Sequence, residues 1–148
     1  FGTGPPDALN IWVGKQDATS SLHKDHYENL FYVASGQKVF TIYPPADAAF
    51  LEIETLATSR FEFVNTSATS TSSSEEGCWK VVPEMQADGS RCQTPWIAAP
   101  SAGASAQLHP IRVEVQAGDI LYLPALWFHQ VTQTCETVAI NWWFDMHF

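Results

Sequence analysis

The sequence predicts an all-β protein, a double-stranded β-helix or jelly-roll barrel with few short helices. Three observations predict this class. Short runs of branched and aromatic residues recur along the chain, glycine and proline punctuate them, and hardly any segment has a helical period. About eight such strands are typical of a sandwich or barrel, and 148 residues suit a single domain over residues 1–148.

Each predicted strand is a run of branched or aromatic residues that ends at glycine, proline or a polar turn. Pro44-Pro45 stops one strand because proline cannot donate to a ladder, and Ser35-Gly36 between two runs predicts a hairpin. Ala46–Leu56 is predicted as a short helix or turn followed by a connecting stretch. The predicted strands are Leu9–Val13, Tyr27–Ala34, Gln37–Tyr43, Phe61–Val64, Trp79–Val82, Ile111–Val115, Ile120–Leu123 and Thr137–Phe144.

Two segments are predicted to be irregular. Residues 65–74 are rich in serine and threonine and predict a solvated loop insertion, while Pro83–Gln107 has little period. No apolar run approaches the ~20 residues of a membrane-spanning helix. The last residues form an aromatic, strand-like run, so we expect the chain to be a fragment that lacks N- and C-terminal flanks.

The charge balance and the cysteines exclude several classes of protein. Seven basic against 16 acidic residues give a net charge of −9, which disfavours nucleic-acid and anionic-membrane partners. The negative charge is typical of ordinary solubility, and it also suits a basic substrate segment. Cys78, Cys92 and Cys135 are odd in number and lack CxxC spacing, which disfavours a disulfide framework or a zinc ribbon. Free thiols indicate a reducing compartment, and we expect a cytoplasmic or nuclear protein.

The tripeptide His23-Lys24-Asp25, together with the distant His129, predicts a metal site. On an extended chain the side chains of His23 and Asp25 point to one face, and Lys24 points away. Two imidazoles and a carboxylate form the facial triad of non-heme Fe(II) oxygenases, which leaves positions open for substrate and oxygen. Zinc accepts the same ligand types, so the residues alone do not exclude it, but an HxD pair without a second histidine at the Asp25 position favours iron.

Three other histidines are left out of the predicted metal site. His26 would lie on the opposite face from Asp25 in an extended segment. His109 and His147 have no spacing argument. A single histidine is usually a satisfied core or surface group, so only the matched set of His23, Asp25 and His129 carries the prediction.

Lys38 is the second signal. Period two places Lys38, Phe40 and Ile42 on one face of their strand. If that face is the interior, the ammonium needs an anion, and the distal carboxylate of a bound dicarboxylate would supply it. If that face is instead the outer one, Lys38 is solvated. Periodicity alone does not distinguish these two alternatives.

Asn29 and Asn141 are polar residues inside otherwise apolar strands. Each either orients a ligand or satisfies a buried backbone group. The neighbouring aromatic residues are predicted to form core and packing surface rather than a substrate cleft. They are Trp127, Phe128, Trp142, Trp143 and Phe144.

These residues together resemble the jumonji-C family of Fe(II)/2-oxoglutarate oxygenases, in particular its small lysyl hydroxylase subfamily of the cupin superfamily. The segments that carry the resemblance are Ser20–Leu30, Gly36–Lys38 with Tyr43–Pro45, Ala117–His129 and Ala139–Trp142.

The resemblance implies a role for each site residue. His23, Asp25 and His129 are the implied catalytic iron ligands, and Lys38 is the implied partner of the distal carboxylate of 2-oxoglutarate. Four further residues are implied near that co-substrate: Ser20, Asn29, Asn141 and Trp143. Phe31 stands where close relatives often have tyrosine, which removes one expected hydrogen bond.

The implied function is hydroxylation of a lysyl side chain in a protein substrate, with 2-oxoglutarate and O2 consumed and succinate and CO2 released. One alternative is N-methyl-lysine demethylation, and another is a noncatalytic cupin-like binding module. The implied partner is then a lysine-bearing protein segment, not nucleic acid or a membrane. Relatives dimerise through C-terminal helices that are absent from this chain, so the resemblance also implies a homodimer for the full-length protein.

Overall fold

A computed structural model of the protein describes residues 4–65, 77–98 and 105–146. The chain divides into two compact units: unit 1 comprises Phe1–Glu52 and Ile97–Phe148, and unit 2 comprises Ile53–Trp96. The single domain predicted over residues 1–148 stays a prediction. Within the described residues the strands of the second unit pair only with one another, which accounts for their separation.

Twelve strands follow one another in the described chain. They are β1 (Ala8–Gly14), β2 (Thr19–Lys24), β3 (Tyr27–Ser35), β4 (Gln37–Tyr43), β5 (Ile53–Ala57), β6 (Ser59–Asn65), β7 (Gly77–Pro83), β8 (Gln93–Ile97), β9 (Ile111–Gln116), β10 (Ile120–Leu123), β11 (Phe128–Gln133) and β12 (Thr137–Asp145). The boundaries of β4 and β10 coincide with those predicted, and the other predicted strands differ by one to three residues at their ends.

Unit 1 contains two four-stranded antiparallel sheets. Sheet A has the strand order β1-β12-β3-β10, and sheet B has the order β2-β11-β4-β9. The strands β1–β4 and β9–β12 each alternate between the two sheets, and neighbours within a sheet come from distant parts of the chain. This is the topology of a jelly roll, so the predicted all-β double-stranded β-helix is confirmed.

The inner faces of the two sheets pack against each other. Four core residues come from each sheet: Phe31, Val33, Leu123 and Ala139 from sheet A, and Phe40, Ile42, Val115 and Val131 from sheet B. A second buried cluster covers the opposite face of sheet B. It consists of Leu22, Leu51, Ile97 and Phe128.

The hairpin predicted at Ser35-Gly36 is wrong. β3 and β4 belong to different sheets and are not hydrogen-bonded neighbours, so the glycine turns the chain from one sheet to the other. Gly36 has φ +81°, and a Cβ added to it would lie 2.2 Å from the carbonyl oxygen of Glu136. A tight glycine turn between two apolar runs is compatible with either arrangement, and only the long-range strand pairing distinguishes them.

Gly36→Ala is expected to lower the free energy of unfolding by about 3 kcal/mol, because the variant combines left-handed backbone strain with a backbone clash. Gly118→Ala is the matched control, since Gly118 has φ +98° but no atom within 4 Å of an added Cβ. It should cost about 1 kcal/mol. Urea denaturation of both variants measures the difference, and equal losses would contradict the close approach at Gly36.

Two short 3₁₀ helices interrupt the strands of the described chain, at Pro45–Phe50 and Ser105–Gln107. The first of them lies in the segment predicted as a helix or turn. Its buried Asp47 accepts hydrogen bonds from the backbone N–H of His109 at 2.6 Å and from the His109 ring at 2.9 Å. No helix among the described residues has the length and apolar composition needed to cross a membrane.

Unit 2 consists of two two-stranded ribbons, β5 with β8 and β6 with β7. The prediction that Pro83–Gln107 is irregular is wrong for β8, a short strand whose Pro95 interrupts any alternating pattern. Asn65 ends β6, and the rest of the predicted Ser/Thr-rich insertion at 65–74 lies outside the described residues.

Candidate metal centre

His23, Asp25 and His129 lie together on the interior side of unit 1. One ligand atom from each of them falls within 4.8 Å of the others. His23 on β2 and His129 on β11 are directly paired across the two strands, and their rings are 4.3 Å apart. Cross-strand pairing therefore brings together histidines that are far apart in the sequence.

Asp25 reaches this group from just beyond the end of its strand. β2 ends at Lys24, and the Asp25 carbonyl accepts a hydrogen bond from the backbone N–H of Leu126 at 2.8 Å. The Asp25 carboxylate lies 3.8 Å from Nε2 of His129. The period-two argument assumed a continuous strand, but the loop that precedes β11 holds the aspartate in place instead.

Backbone carbonyls select the tautomer of both histidines. Nδ1 of His23 lies 2.6 Å from the Ser21 carbonyl oxygen, and Nδ1 of His129 lies 3.1 Å from the Trp127 carbonyl oxygen. A carbonyl only accepts hydrogen bonds, so each Nδ1 carries the proton and each Nε2 keeps its lone pair. Two Nε2 lone pairs and one carboxylate form a donor set that fits a divalent transition metal.

His129 is held neutral. Burial and the neighbouring His23 lower the pKa of His129 to about 4, and the Trp127 carbonyl and Asp25 oppose the shift only in part. A neutral imidazole near pH 7 is the form that binds a metal ion.

This shift predicts how the stability of the metal-free protein depends on pH. The unfolded residue gains a proton below about pH 6.5 and the folded residue only near pH 4, so stability should fall as pH drops through this window. The His129 contribution is on the order of 3 kcal/mol. Urea denaturation with a chelator present, at about pH 7 and about pH 4.5, measures it. His129→Asn should show a flatter profile, and equal slopes in both proteins would contradict the shift.

A β-bulge places Ser20 and His23 on the same face of β2. Three residues separate them in the sequence, which by alternation would put them on opposite faces. However, β2 advances from Ser20 to His23 while its partner advances only from Val131 to His129. The extra residue in β2 turns both side chains toward the same face of the sheet.

Lys38 points into the protein, which decides between the two alternatives that periodicity left open. Its side chain is only 7% exposed, and burial lowers its pKa. Its ammonium lies 5.9 Å from the centre of the Phe31 ring. Among the described residues, no carboxylate forms an ion pair with it. A buried ammonium without a counter-charge fits the distal carboxylate of a dicarboxylate.

Lys38 and Ser20 line the same cavity of about 180 Å³. Its other lining residues come from β1, the β1–β2 loop, β2 and β11, and they include Trp12, Thr19, Val131 and Gln133. The cavity lies along the strands that carry His23 and His129. The structure therefore groups the residues implied for the co-substrate carboxylate.

Sequence reasoning missed Gln133, the direct partner of Lys38. Gln133 is 5% exposed, and its Oε1 accepts a hydrogen bond from the Lys38 ammonium at 2.6 Å. Alternation from His129 through Val131 to Gln133 was the available signal, since all three share one face of β11. The pairing of Gln133 with Lys38 depends on the register between β11 and β4, which no local pattern contains.

Asn29 and Asn141 form part of a hydrogen-bonded chain across sheet A. The Trp12 indole N–H donates to Asn141 Oδ1 at 2.8 Å, and Asn141 Nδ2 donates to Asn29 Oδ1 at 3.0 Å. Both asparagines are buried on the interior face. Trp143 pairs with Asn29 across the strands, and its ring stacks on Tyr27 at 5.1 Å. The structure thus connects the two asparagines with each other and with Trp12.

Of the other histidines, His26 and His109 do not join the metal group. His26 is exposed, and His109 contacts Asp47 instead. His147 lies outside the described residues.

Comparison with known proteins supplies the family. The chain is 40% identical over 150 residues to the human "Bifunctional peptidase and (3S)-lysyl hydroxylase JMJD7", covering 97% of this chain and 43% of that protein. It is 36% identical over 166 residues to "Lysine-specific demethylase JMJ32" of Arabidopsis thaliana, covering 100% of this chain and 44% of that protein. The family described as a cupin-like domain matches residues 1–148. The chain belongs to the cupin-like JmjC family.

A third JmjC relative matches this chain over a similar share of its own length. The chain is 35% identical to "JmjC domain-containing protein E" of Dictyostelium discoideum over 161 residues, covering 96% of this chain and 43% of that protein. The chain thus spans less than half the length of these curated relatives. The His-Asp-His group could hold a metal ion, which agrees with membership of the JmjC family.

Proposed function

We propose that this chain is the metal-binding domain of an Fe(II)- and 2-oxoglutarate-dependent protein hydroxylase that acts on a lysyl side chain. The observation that carries the proposal is the convergence of His23, Asp25 and His129 in a site whose histidines both present Nε2. Three protein ligands leave coordination positions open, which suits iron-dependent oxygen chemistry better than a closed structural zinc site.

The second support is the charge of the neighbouring cavity. Bound Fe(II) with 2-oxoglutarate and O2 supplies an oxidant able to attack an unactivated C–H bond. The side chains of this domain supply binding and orientation. Lys38 and Ser20 would hold the distal carboxylate of the co-substrate, and the Asn141–Asn29 pair would orient a polar group near the metal.

The lysyl substrate is supported by the relatives and by charge. The human relative is named a (3S)-lysyl hydroxylase, and its similarity extends over 97% of this chain. A net charge of −9 favours a basic segment as substrate.

The proposal is tested by anaerobic titration of the intact protein with Fe(II) and 2-oxoglutarate. A weak visible charge-transfer band should appear only when both are present. Incubation with candidate lysine-bearing protein segments in air should then yield succinate and a product heavier by one oxygen atom. Absence of the band in a folded sample would overturn the proposal.

Demethylation of N-methyl-lysine is the second candidate, favoured by the name of the Arabidopsis relative. Demethylation would use the same site, because its first step is also a hydroxylation, here of the N-methyl carbon. The hydroxylated methyl group then leaves as formaldehyde. Formaldehyde release from a methylated segment would identify a demethylase, and a stable oxygenated product would identify a hydroxylase. A noncatalytic module would yield no succinate with either substrate.

A further inference from the structure

Gln133 lies in the interior, but it is neither one of the metal ligands nor one of the predicted co-substrate contacts. It lies on the inward face of β11, paired in register with Lys38 of β4. The same face carries His129 at the other end of the strand. Gln133 also lines the cavity that contains Ser20 and Lys38. The question is why a glutamine is the partner of the buried ammonium.

Every polar atom of the Gln133 carboxamide is used. Oε1 accepts from the Lys38 ammonium at 2.6 Å and from the hydroxyl of Thr137, and Nε2 donates to the Lys15 carbonyl at 2.7 Å. Exchanging the amide oxygen and nitrogen would set donors against the ammonium and an acceptor against a carbonyl. The network therefore determines the orientation of the amide.

The backbone of β1 is shaped around this amide. A Cβ added to Gly14 would lie 2.2 Å from Nε2 of Gln133. Gly14 is the last residue of β1, and a glycine in a strand often marks a close approach of another group. The side chain of Gln133 is thus held on one side by Gly14 and Lys15, and on the other by Lys38.

A neutral amide has a property here that a carboxylate would lack. It satisfies one donor of the Lys38 ammonium without cancelling its charge, and an ammonium has three donors. The remaining donors and the whole positive charge stay available to an incoming carboxylate. A glutamate at this position would form a buried ion pair with Lys38 and compete with that ligand.

We propose that Gln133 is the positioning residue of the dicarboxylate site: it holds the buried Lys38 ammonium in place and preserves its charge for the distal carboxylate of the co-substrate. This inference rests on the proposed function. It adds that the affinity for the dicarboxylate depends on a neutral partner of Lys38 as well as on Lys38 itself.

The test is calorimetric binding of 2-oxoglutarate to the intact protein loaded with Mn(II), which replaces Fe(II) without turnover. Gln133→Glu should weaken 2-oxoglutarate binding at least about tenfold, since charge competition removes a charge-assisted hydrogen bond. Mn(II) affinity should stay within about twofold, because the metal ligands are untouched. Gln133→Met, which keeps the volume but leaves Lys38 unheld, should weaken 2-oxoglutarate binding by roughly threefold to tenfold. Exposed Gln116→Glu is the matched charge control and should bind like the wild type.

Cavity length gives a second readout that a purely structural role would not change. Gln133→Ala enlarges the cavity beside Lys38, so the preference for 2-oxoglutarate over the dicarboxylate one carbon longer, 2-oxoadipate, should decrease. Unchanged 2-oxoglutarate affinity in both Gln133→Glu and Gln133→Met would overturn the inference alone. So would a loss of 2-oxoglutarate affinity matched by an equal loss of Mn(II) affinity, which indicates a damaged fold. A wild-type protein that binds Mn(II) but no 2-oxoglutarate would overturn the proposed function and this inference with it.

Discussion

Asp25→Ala is expected to lower both Fe(II) affinity and succinate production by at least about 100-fold. Asp25 supplies the single carboxylate of the group, and its oxygen lies 3.8 Å from Nε2 of His129. Changes to residues that merely orient ligands cost 10–100-fold in comparable sites, so loss of a ligand should cost at least as much. Metal content after dialysis and succinate formation measure the two effects. His23→Ala is expected to have the same outcome.

The adjacent His26 provides the control for this prediction. His26 is an exposed imidazole one position along the chain, outside the metal group. His26→Ala should keep Fe(II) affinity and turnover within about twofold of the wild type. If His26→Ala lost the metal and Asp25→Ala kept it, His26 rather than Asp25 would be the metal ligand.

Lys38→Met is expected to separate co-substrate binding from stability. The variant should weaken 2-oxoglutarate binding by about 100-fold, because it removes the buried cation that would pair with the distal carboxylate. Its free energy of unfolding should be unchanged or higher by about 1 kcal/mol, because burial already penalises the charged form of Lys38. Calorimetric binding and urea denaturation measure the two quantities.

Exposed Lys80→Met is the matched control and should change neither quantity. A Lys38→Met protein that is strongly destabilised, or that binds 2-oxoglutarate normally, would show that the ammonium serves the fold rather than a ligand. The expected combination of better stability and lost binding is typical of residues kept for function.

Most strands of unit 1 were predictable because they are encoded locally, but β2 and β11, which carry His23 and His129, were not among the predicted strands. Apolar runs ended by Pro44-Pro45 and by Pro124 mark β4 and β10 at their observed boundaries. Unit 2 was harder to predict. Its strands are short and mostly exposed, so the alternating pattern that burial imposes on a strand is weak there.

The faces of the strands were not predictable, because sheet A is apolar on both sides. Leu9, Ile11 and Val13 are exposed on β1, while Phe31 and Val33 are buried on β3. Alternation identifies a core face only when the other face is polar. The same ambiguity left Lys38 undecided until the packing of β4 was known.

By itself, the sequence determined the all-β class and the metal-binding residue types, because a strand period of two and the spacing of His23 and Asp25 are local properties. Tertiary structure alone decided that β3 and β4 belong to different sheets, that Lys38 is buried, and that Gln133 is its partner. The physical reason is that register between strands is set by hydrogen bonds between distant residues, and no short window of sequence records them.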